Sequence, residues 1–388
     1  MMHPFRGKTA IAGVGRTPIS KQSGVTTLTL ALQAITAALA DAGLEPADVD
    51  GVACFRVGDS VEAKYVAQCL GIRDLRYHLD QNGGGGVGNQ VLASAAMAVA
   101  TSMATCVVCW RALNARSGVR MGGSGRAPAP NLESPYYSPY GIVSAPQKLA
   151  LYARAFMHDR GVTEKDLGAV AIAQREYAQR NERATQRSPL TMDDYLASRW
   201  IAEPLRLYDC CLESDGAVAL VITSAERARH LAQSPVLIAG AAYGSGHLVI
   251  SNGWSDLATS SAAEMAPRLY SAAGIGPTEL DVVELYDPCT ALVLVQLEDY
   301  GLCGRGEAAG LVGGGGTRLG GPMPTNTHGG HLSEGYIHGM NHVAEAVDQL
   351  RGHAGDRQVT GAETALVTSE AGYVGGNNSA MILRRDER

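Results

Sequence analysis

The segment LADAGLEPADVDGVACF at residues 39–55 has the pattern of a helix end, a turn and a strand start. SAAGIGPTELDVVELYD at residues 271–287 repeats that pattern. Gly43 and Gly274 are 231 residues apart, and the proline and the aspartate that follow each glycine keep the same spacing. A glycine that ends a helix, followed by a proline turn, is a strong local signal. Three such coincidences indicate a duplicated βα unit.

The strands at the ends of the two copies also agree. KTAIAGVG at 8–15 matches PVLIAGAAY at 235–243, and DGAVALVITS at 215–224 matches NNSAMILRR at 377–385. Between them, apolar runs rich in Val, Ile and Ala alternate with helical stretches rich in Ala and Leu. This alternation predicts an α/β chain whose mainly parallel sheets are covered on both faces.

The repeat divides the chain into an N-terminal half at 1–230 and a C-terminal half at 231–388. The first half also holds a polar insertion at about 112–205, which has no counterpart in the second half. The insertion begins with the Gly- and Pro-rich segment at 122–141, and a charged helix is predicted around 175–188.

Composition narrows the classes of function. The 388 residues are 46% hydrophobic and 18% charged, which is typical of a compact enzyme. A net charge of −6 without a basic helical face argues against nucleic acid or an anionic membrane as partner. No apolar run approaches the ~18 residues of a spanning helix and no signal peptide is evident, so a soluble, cytoplasmic protein is expected.

Eight cysteines are scattered without the spacing of a secreted scaffold, and we expect reduced thiols. Cys106 and Cys109 form a CxxC within an apolar, β-type run, which favours a buried strand over a metal or redox pair.

A duplicated chain with an insertion in its first half resembles the thiolase fold, in which two βαβαβαββ halves form a five-layer αβαβα sandwich. Several segments are similar to the lipid-transfer-protein branch of thiolases, related to the thiolase part of sterol carrier proteins. They are TAIAGVGRTP (9–18), AALADAGLEPADVDGV (37–52), YDCCLESDGAVALVITSAERAR (208–229), VVELYDPCT (282–290) and NTHGGHLSEGYIHGMNH (326–342). The resemblance implies a coenzyme A thioester substrate and a homodimer.

The nucleophilic cysteine of thiolases has no equivalent in this sequence. The corresponding stretch, HLDQNGGGGVGNQVLASAAMAVA at 78–100, contains no cysteine. Gly83, Gly84, Gly85 and Gly86 instead precede the predicted helix. Such a run offers backbone N–H groups to an anion or oxyanion, or serves only as a tight turn that needs positive φ. Both interpretations remain open.

Three further thiolase motifs are altered. ELYDPC (284–289) places Tyr286 where thiolases bind the substrate carbonyl, and EGYIHG (334–339) places Tyr336 at the catalytic histidine. SEAGYVGG (369–376) places Glu370 near the second reactive cysteine, with Gly372 beside it.

Phenols at these positions suit acid/base work on an alcohol, whereas covalent acyl transfer needs a nucleophile that they do not supply. The predicted reaction is a retro-aldol cleavage of a β-hydroxyacyl thioester, with Tyr286 and Tyr336 as the acid/base pair. Asp287 is expected to hold the proton on its neighbour. His338 and His331 are candidates for a neighbouring cation or hydrogen-bond donor that would lower the pKa of a phenol.

The resemblance implies more about the reaction. Members of this branch that lack the nucleophilic cysteine and have a tyrosine in both motifs, as this chain does, resemble the steroid side-chain-cleaving aldolases. These release propionyl-CoA or a similar short acyl-CoA from a 17-hydroxy steroid thioester, and they work with a partner bearing an OB-fold domain of the zinc-ribbon type. A homodimer or a heterotetramer with that partner is implied. Coenzyme A enters as part of the substrate, and no further cofactor is expected. The substrate- and CoA-binding candidates are Gly83, Gly84, Gly85, Gly86, His328, Gly329, Gly330, His331 and Gly372.

Other interpretations remain. His328, His331, His338 and His342 are close in sequence, but they lack the glutamate of a zinc-protease helix, so no metal site is predicted. A thiolase that uses Cys289 is one alternative. A noncatalytic acyl-CoA- or sterol-binding subunit is the other, and it predicts that both tyrosines can be replaced by Phe without loss of activity.

Overall fold

The computed structural model describes residues 6–118, 120, 134–244, 256–370 and 377–386. Its strands are β1 (Thr9–Arg16), β2 (Gly51–Arg56), β3 (Tyr77–Asn82), β4 (Cys106–Asn114), β5 (Trp200–Ala202), β6 (Leu205–Arg206), β7 (Asp215–Ser224), β8 (Val236–Gly244), β9 (Val282–Glu284), β10 (Thr364–Glu370) and β11 (Asn378–Arg385). Its helices are α1 (Thr27–Ala42), α2 (Ala63–Cys69), α3 (Gly88–Ala100), α4 (Ser134–Tyr137), α5 (Ala145–Arg160), α6 (Glu164–Gln179), α7 (Met192–Ala197), α8 (Ala225–Ala228), α9 (Ala262–Ala273), α10 (Thr290–Asp299), α11 (Ala308–Gly313), α12 (Gly330–Ser333) and α13 (Met340–Arg351).

The main sheet shows the duplication directly. Its nine strands follow the order β3-β2-β4-β7-β1-β8-β11-β10-β9. The two halves meet where β1 pairs with β8, and Ala10 lies opposite Leu237 there. Outward from that contact, β7, β4 and β2 of the first half correspond to β11, β10 and β9 of the second. In the second half, Thr325 forms an isolated parallel bridge with Val283 of β9. It takes the position that β3 has beside β2 in the first half.

The expectation of mainly parallel sheets was wrong. The pairs β2-β3, β2-β4 and β9-β10 are parallel, but the pairs around the centre, β4-β7, β7-β1, β1-β8, β8-β11 and β11-β10, are antiparallel. In each half the first strand lies beside the last one, β1 beside β7 and β8 beside β11, and the two run in opposite directions, an arrangement that the alternation of strands and helices does not predict.

The repeated helix-turn-strand unit is confirmed. The helices α1 and α9 both end at a left-handed glycine, Gly43 with φ 70° and Gly274 with φ 67°. Pro46 and Pro277 then begin equivalent single turns of 3₁₀ helix, which lead into β2 and β9. Because glycine adopts positive φ without a steric cost, it ends both helices at the same point.

Three apolar cores produce the five layers. The helices α3 and α13 form the central layer and share one core with the facing sides of both half-sheets. The helices α1 and α2 cover the outer side of the first half, while α9 and α10 cover that of the second. Alternation along β1 shows the arrangement, since Ala10 belongs to the outer core and Ile11 to the central one. The predicted αβαβα sandwich is therefore confirmed.

The insertion packs against the opposite half of the chain. Phe156 of α5 and Leu167 of α6 belong to the core that contains α9 and α10. The strand β4 continues to Asn114, past the expected start of the insertion near 112. The helix α6 ends at Gln179, so the charged helix predicted around 175–188 is shorter than expected. Just beyond its end, Nδ2 of Asn181 donates to the carbonyl of His328 at 2.8 Å.

No helix in the described ranges has both the length and the apolar character needed to cross a lipid bilayer.

Candidate active site

Tyr286 lies just beyond β9, and its backbone is held on both sides. Its N–H donates to Oγ1 of Thr368 at 2.8 Å, and its carbonyl accepts from Nε2 of Gln296 at 2.7 Å. The Thr368 hydroxyl in turn donates to Oε1 of Gln296 at 2.6 Å. This closed set of buried hydrogen bonds sets the direction in which the Tyr286 side chain leaves the backbone.

Tyr336 reaches the same point from the loop after α12, 50 residues further along the chain. Its backbone N–H donates to Oγ of Ser214 at 3.1 Å. The two phenolic oxygens of Tyr286 and Tyr336 lie 2.6 Å apart, a short hydrogen bond in which either can donate. Tyr286 is 2% exposed, whereas Tyr336 is half-buried. The structure thus joins the two tyrosines that the motifs singled out.

Tyr286 keeps its proton. Burial raises the pKa of its phenol well above the ordinary value, and Tyr336 raises it further. Asp287 acts in the same direction, as the sequence predicts. At neutral pH, Tyr286 is therefore a protonated phenol rather than a phenolate.

The glycine run lies against this pair. Gly83 to Gly86 connect β3 to the start of α3. A Cβ atom added to Gly85 would lie 2.1 Å from the Tyr286 hydroxyl oxygen, far inside contact distance. Tyr286 therefore occupies the space that a side chain at position 85 would need. The glycine run is more than a turn, because it allows the phenol to reach the backbone.

His331 and His338 surround Tyr336, with ring centroids 4.7 Å and 4.8 Å from its ring. Burial lowers the pKa of both imidazoles well below the ordinary value. The neighbouring His342 adds to the shift at His331, and Arg111 adds to it at His338. Both rings are neutral at physiological pH. The lowered pKa values argue against a cation beside the phenols, and a role for either ring as a neutral hydrogen-bond donor remains a prediction.

Asp287 organises the segment that carries Tyr336. Its Oδ1 accepts from the backbone N–H of His331 at 2.9 Å and lies 2.9 Å from Nε2 of His342. A Cβ atom on Gly330 would lie 2.2 Å from its Oδ2, so glycine permits this approach. Nε2 of His331 accepts from the N–H of Gly339 at 3.1 Å. These contacts make Asp287 an anchor for the loop, and a direct catalytic role remains a prediction.

His328 lies deeper and is charged. Its Nδ1 is 2.9 Å from Oε2 of Glu284, and its Nε2 is 3.6 Å from Oε2 of Glu334. Burial lowers the pKa of His328, but Glu334 and Glu284 outweigh burial and raise it to about 9. Gly329, whose φ is 102°, follows it and packs against Ala178 of α6. His328 and Gly329 thus join the insertion to the site, and their predicted contact with substrate remains a prediction.

Two overlapping groups of buried side chains have ligand-type atoms within 4.8 Å of one another. They are Glu284, His328 and His342, and Asp287, His331 and His342. His342 belongs to both groups, whereas His338, four residues before it, belongs to neither within the part of the chain described. Three of these close approaches are imidazole–carboxylate pairs: His328 to Glu284, His331 to Asp287 and His342 to Asp287.

Glu370 ends β10 with a fully buried side chain. Burial, with a contribution from Asp299, raises its pKa to about 8. A Cβ atom on Gly85 would lie 2.7 Å from the Glu370 carbonyl oxygen, so its backbone borders the tyrosine pair. A catalytic role for its carboxyl remains a prediction. Gly372 lies outside the described residues.

We expect Glu370→Gln to stabilise the protein increasingly as pH rises from 4.5 to 8. Over this range an unfolded Glu370 is ionised while the folded one keeps its proton, so the stability of the native protein falls by about 1.4 kcal/mol per pH unit. The variant lacks this slope and should gain about 3–4 kcal/mol in stability relative to the native protein between pH 5 and pH 8.

Urea unfolding at pH 5, 6.5 and 8 measures this difference. Glu363→Gln is the matched control, since Glu363 is an exposed partner of Arg385. A Glu370→Gln difference that does not vary with pH would show that Glu370 is ionised in the folded protein.

Cys289, the thiol that a thiolase mechanism would need, is 1% exposed. Burial raises its pKa to about 12, so almost none of it is thiolate at neutral pH. Cys106 and Cys109 lie in β4, both completely buried, as the strand interpretation predicts. The thiol chemistry considered from sequence thus finds no support near the tyrosine pair.

Several neighbours of the pair were not identified from sequence. Gln296, Thr368 and Ser214 hold the tyrosine backbones, and Arg111 contacts His338. No motif marks them, because each comes from a different element. A buried arginine in the apolar run of β4 was the one available signal.

Comparisons with known proteins find relatives over nearly the whole chain. The family described as "Thiolase C-terminal domain-like" matches residues 242–385. A steroid side-chain-cleaving aldolase of Thermomonospora curvata is 45% identical over 99% of this chain and 100% of its own. The 17-hydroxy-3-oxo-4-pregnene-20-carboxyl-CoA lyase of Mycobacterium tuberculosis is 43% identical over 94% and 97%. A solved structure, the "Ltp2-ChsH2(DUF35) aldolase", has a TM-score of 0.92 at 43% identity and covers 99% of both chains.

Proposed function

Because the chain belongs to the family of the steroid side-chain-cleaving aldolases, built on the thiolase fold, we propose that it cleaves a β-hydroxyacyl-CoA thioester by a retro-aldol reaction. The enzyme is a carbon–carbon lyase. The bond that breaks joins the hydroxyl-bearing carbon to the carbon next to the thioester, and the products are a ketone and a shorter acyl-CoA.

The observation that carries the proposal is the 2.6 Å contact between the Tyr286 and Tyr336 hydroxyls beside Gly85. This arrangement replaces a thiol nucleophile with two groups that exchange protons. Retro-aldol cleavage needs proton transfer and stabilisation of an enolate, and it needs no covalent intermediate.

A proton relay through the two tyrosines accounts for every proton and electron pair in the reaction. The substrate hydroxyl gives its proton to the more exposed Tyr336, Tyr336 gives its own to Tyr286, and Tyr286 gives its proton to the carbon next to the thioester. The O–H electron pair becomes the ketone C=O bond, and the pair of the broken C–C bond becomes the new C–H bond. Neither phenol need be ionised beforehand, which fits the protonated Tyr286 and the neutral His331 and His338, whose pKa values burial shifts in the directions described above.

The substrate proposed is a steroid thioester with a 17-hydroxyl group and a three-carbon acyl side chain. The name of the mycobacterial relative describes such a compound for that protein. Cleavage between the 17-carbon and the side chain leaves a 17-ketone and propionyl-CoA. No redox change accompanies this step, and coenzyme A takes part only as the carrier of the acyl group.

A partner subunit completes the proposed assembly. The solved Ltp2-ChsH2(DUF35) aldolase pairs, by its name, with a DUF35 protein. We propose an equivalent partner with an OB-fold domain of the zinc-ribbon type, bound to a homodimer of this chain in a heterotetramer.

Turnover by the purified complex tests the function. The chain is co-expressed with a DUF35-type partner, supplied with a 17-hydroxy steroid side-chain CoA thioester, and assayed by mass spectrometry for the 17-ketone and propionyl-CoA in equal amounts. Equal release supports the lyase. Tight binding of the thioester without release would identify a binding subunit, and cleavage of a separately supplied β-ketoacyl-CoA with consumption of free CoA would identify a thiolase.

A further inference from the structure

A line of three charged or polar side chains runs from the surface of the first half to the tyrosine pair. Nε of Arg111 donates to Nδ1 of His338 at 2.8 Å, and its terminal NH₂ donates to Oδ2 of Asp59 at 2.5 Å. The Arg111 side chain is completely buried, and that of Asp59 is 16% exposed. The three residues come from β4, the loop after β2 and the loop after α12.

This contact decides where the imidazole carries its proton. Arginine is always a donor, so the Nδ1 that faces Arg111 must accept. The single proton of the neutral ring is therefore on Nε2. Burial and Arg111 both lower the pKa of His338 well below the ordinary value, which keeps the ring in that neutral form. Most histidines in active sites have a carboxylate behind the ring and are driven toward the cation instead.

The Nε2 atom faces the glycine run. A Cβ atom on Gly84 would lie 3.8 Å from it, and the ring of Tyr336 is 4.8 Å away between centroids. His338 has φ 51°, a left-handed conformation that a residue other than glycine seldom adopts. Such conformations persist where the surrounding contacts impose them, and they cluster at functional sites.

We infer that the Nε2–H of His338 donates a hydrogen bond to the thioester oxygen and stabilises the enolate that forms when the C–C bond breaks, with Arg111 and Asp59 as positioning residues. This role rests on the proposed function and deepens it. It differs from the role considered from sequence, because the donor acts on the thioester oxygen rather than on a phenol.

The chemistry favours a neutral donor at this position. An imidazolium beside the enolate would transfer its proton to oxygen, and the carbon would then compete poorly for the proton of Tyr286. A neutral imidazole holds its proton and only donates a hydrogen bond. The arginine behind the ring ensures this. Asp59 balances the arginine charge, since burial would raise the pKa of Asp59 but Arg111 lowers it below the ordinary value.

Two amide substitutions at His338 distinguish the roles of the two ring nitrogens. In His338→Gln, the amide nitrogen reaches the place of Nε2 and keeps a donor there, whereas the shorter side chain of His338→Asn ends near Nδ1 and leaves no donor at the glycine run. We expect His338→Asn to lower kcat by about 10²- to 10³-fold with little change in KM, as for the loss of one oxyanion donor. We expect His338→Gln to retain kcat within about tenfold.

The assay is steady-state cleavage by the intact complex, with thermal unfolding as the check on folding. Equal kcat values for the two variants, or a native kcat in His338→Asn, would overturn the assignment of the donor to Nε2.

The positioning role has its own readout. In Arg111→Met, the imidazole loses both the donor and the positive charge behind it while the carboxylate of Asp59 remains nearby, so the pKa of His338 rises even though the ring stays buried. We expect the acid limb of the kcat profile to move to higher pH than in the native enzyme. An unchanged pH profile in a folded Arg111→Met variant would overturn the role of Arg111 and Asp59.

A measurement without turnover separates this inference from the proposed function. The nitrogen chemical shifts of His338 in ¹⁵N-labelled protein, assigned by comparison with His338→Gln, report the proton position directly. A neutral ring with the proton on Nε2 is expected from pH 5 to 9. A proton on Nδ1, or an imidazolium at pH 7, would overturn the inference even if the enzyme cleaves its substrate. The absence of cleavage with the expected shifts would overturn only the proposed function.

Discussion

Replacing Tyr336 by Phe is expected to lower kcat for thioester cleavage by about 10²- to 10⁴-fold, and replacing Tyr286 by Phe to have an effect of similar size. Each substitution removes one oxygen from the 2.6 Å contact and interrupts the relay between the substrate hydroxyl and the new C–H bond. The aromatic rings remain, so thioester binding should change little. Rapid-quench assays with excess enzyme measure the chemical step, and calorimetry measures binding.

The double variant is informative. If the two phenols act as one relay, Tyr286→Phe/Tyr336→Phe should be no slower than the slower single variant, because a broken relay cannot be broken again. Tyr177→Phe is the matched control, a buried tyrosine whose hydroxyl donates to the carbonyl of Thr317 away from the pair. Native turnover in both single variants would contradict the relay and favour a noncatalytic subunit. Multiplicative losses would indicate separate roles for the phenols.

Gly85→Ala is expected to abolish cleavage and to destabilise the protein by about 1–3 kcal/mol. The new methyl group would lie 2.1 Å from the Tyr286 hydroxyl oxygen and 2.7 Å from the Glu370 carbonyl oxygen, so the phenol must leave its place. For the same reason, Gly85→Cys should not restore thiolase activity. A cysteine side chain at position 85 and the phenol of Tyr286 would occupy the same space, so the tyrosine pair requires glycine at this position.

Gly310→Ala is the control for this substitution. It lies in α11 with nothing within 4 Å of the added Cβ atom, and alanine has the higher helix propensity. Cleavage assays and urea unfolding compare the two variants. Native activity in Gly85→Ala would show that Tyr286 can move without loss of function, and the contact between the two phenols would then be unnecessary for cleavage.

Much of the fold follows from short segments of sequence. Gly43 and Gly274 end their helices because a positive φ is a local property of glycine, and the proline turns after them are equally local. The repeat of these signals indicated the two halves. The prediction of parallel strands was wrong at the centre of the sheet. The partner and direction of a strand depend on the path of the chain between strands, which the periodicity of the sequence does not encode.

The candidate site also has features that could be predicted from the sequence and features that could not. Tyr286 and Tyr336 were identified from motifs, since each occupies a position whose neighbours in sequence resemble a known family. Their ionisation could not be predicted. A pKa depends on burial and on nearby charges, and the groups that set it for His338 are Arg111 and Asp59, which are distant in sequence.

The amino-acid sequence by itself determined the duplicated α/β chain, the missing nucleophile and the identity of the two phenols, because helix ends, turns and motif residues are local features of the chain. Only the tertiary structure decided that the phenols touch, that Tyr286 fills the space beside Gly85, and that His338 is a neutral donor whose pKa burial lowers. Contacts between residues 50 to 227 positions apart exist only after the layers pack, and burial in those layers sets the protonation of the groups that meet there.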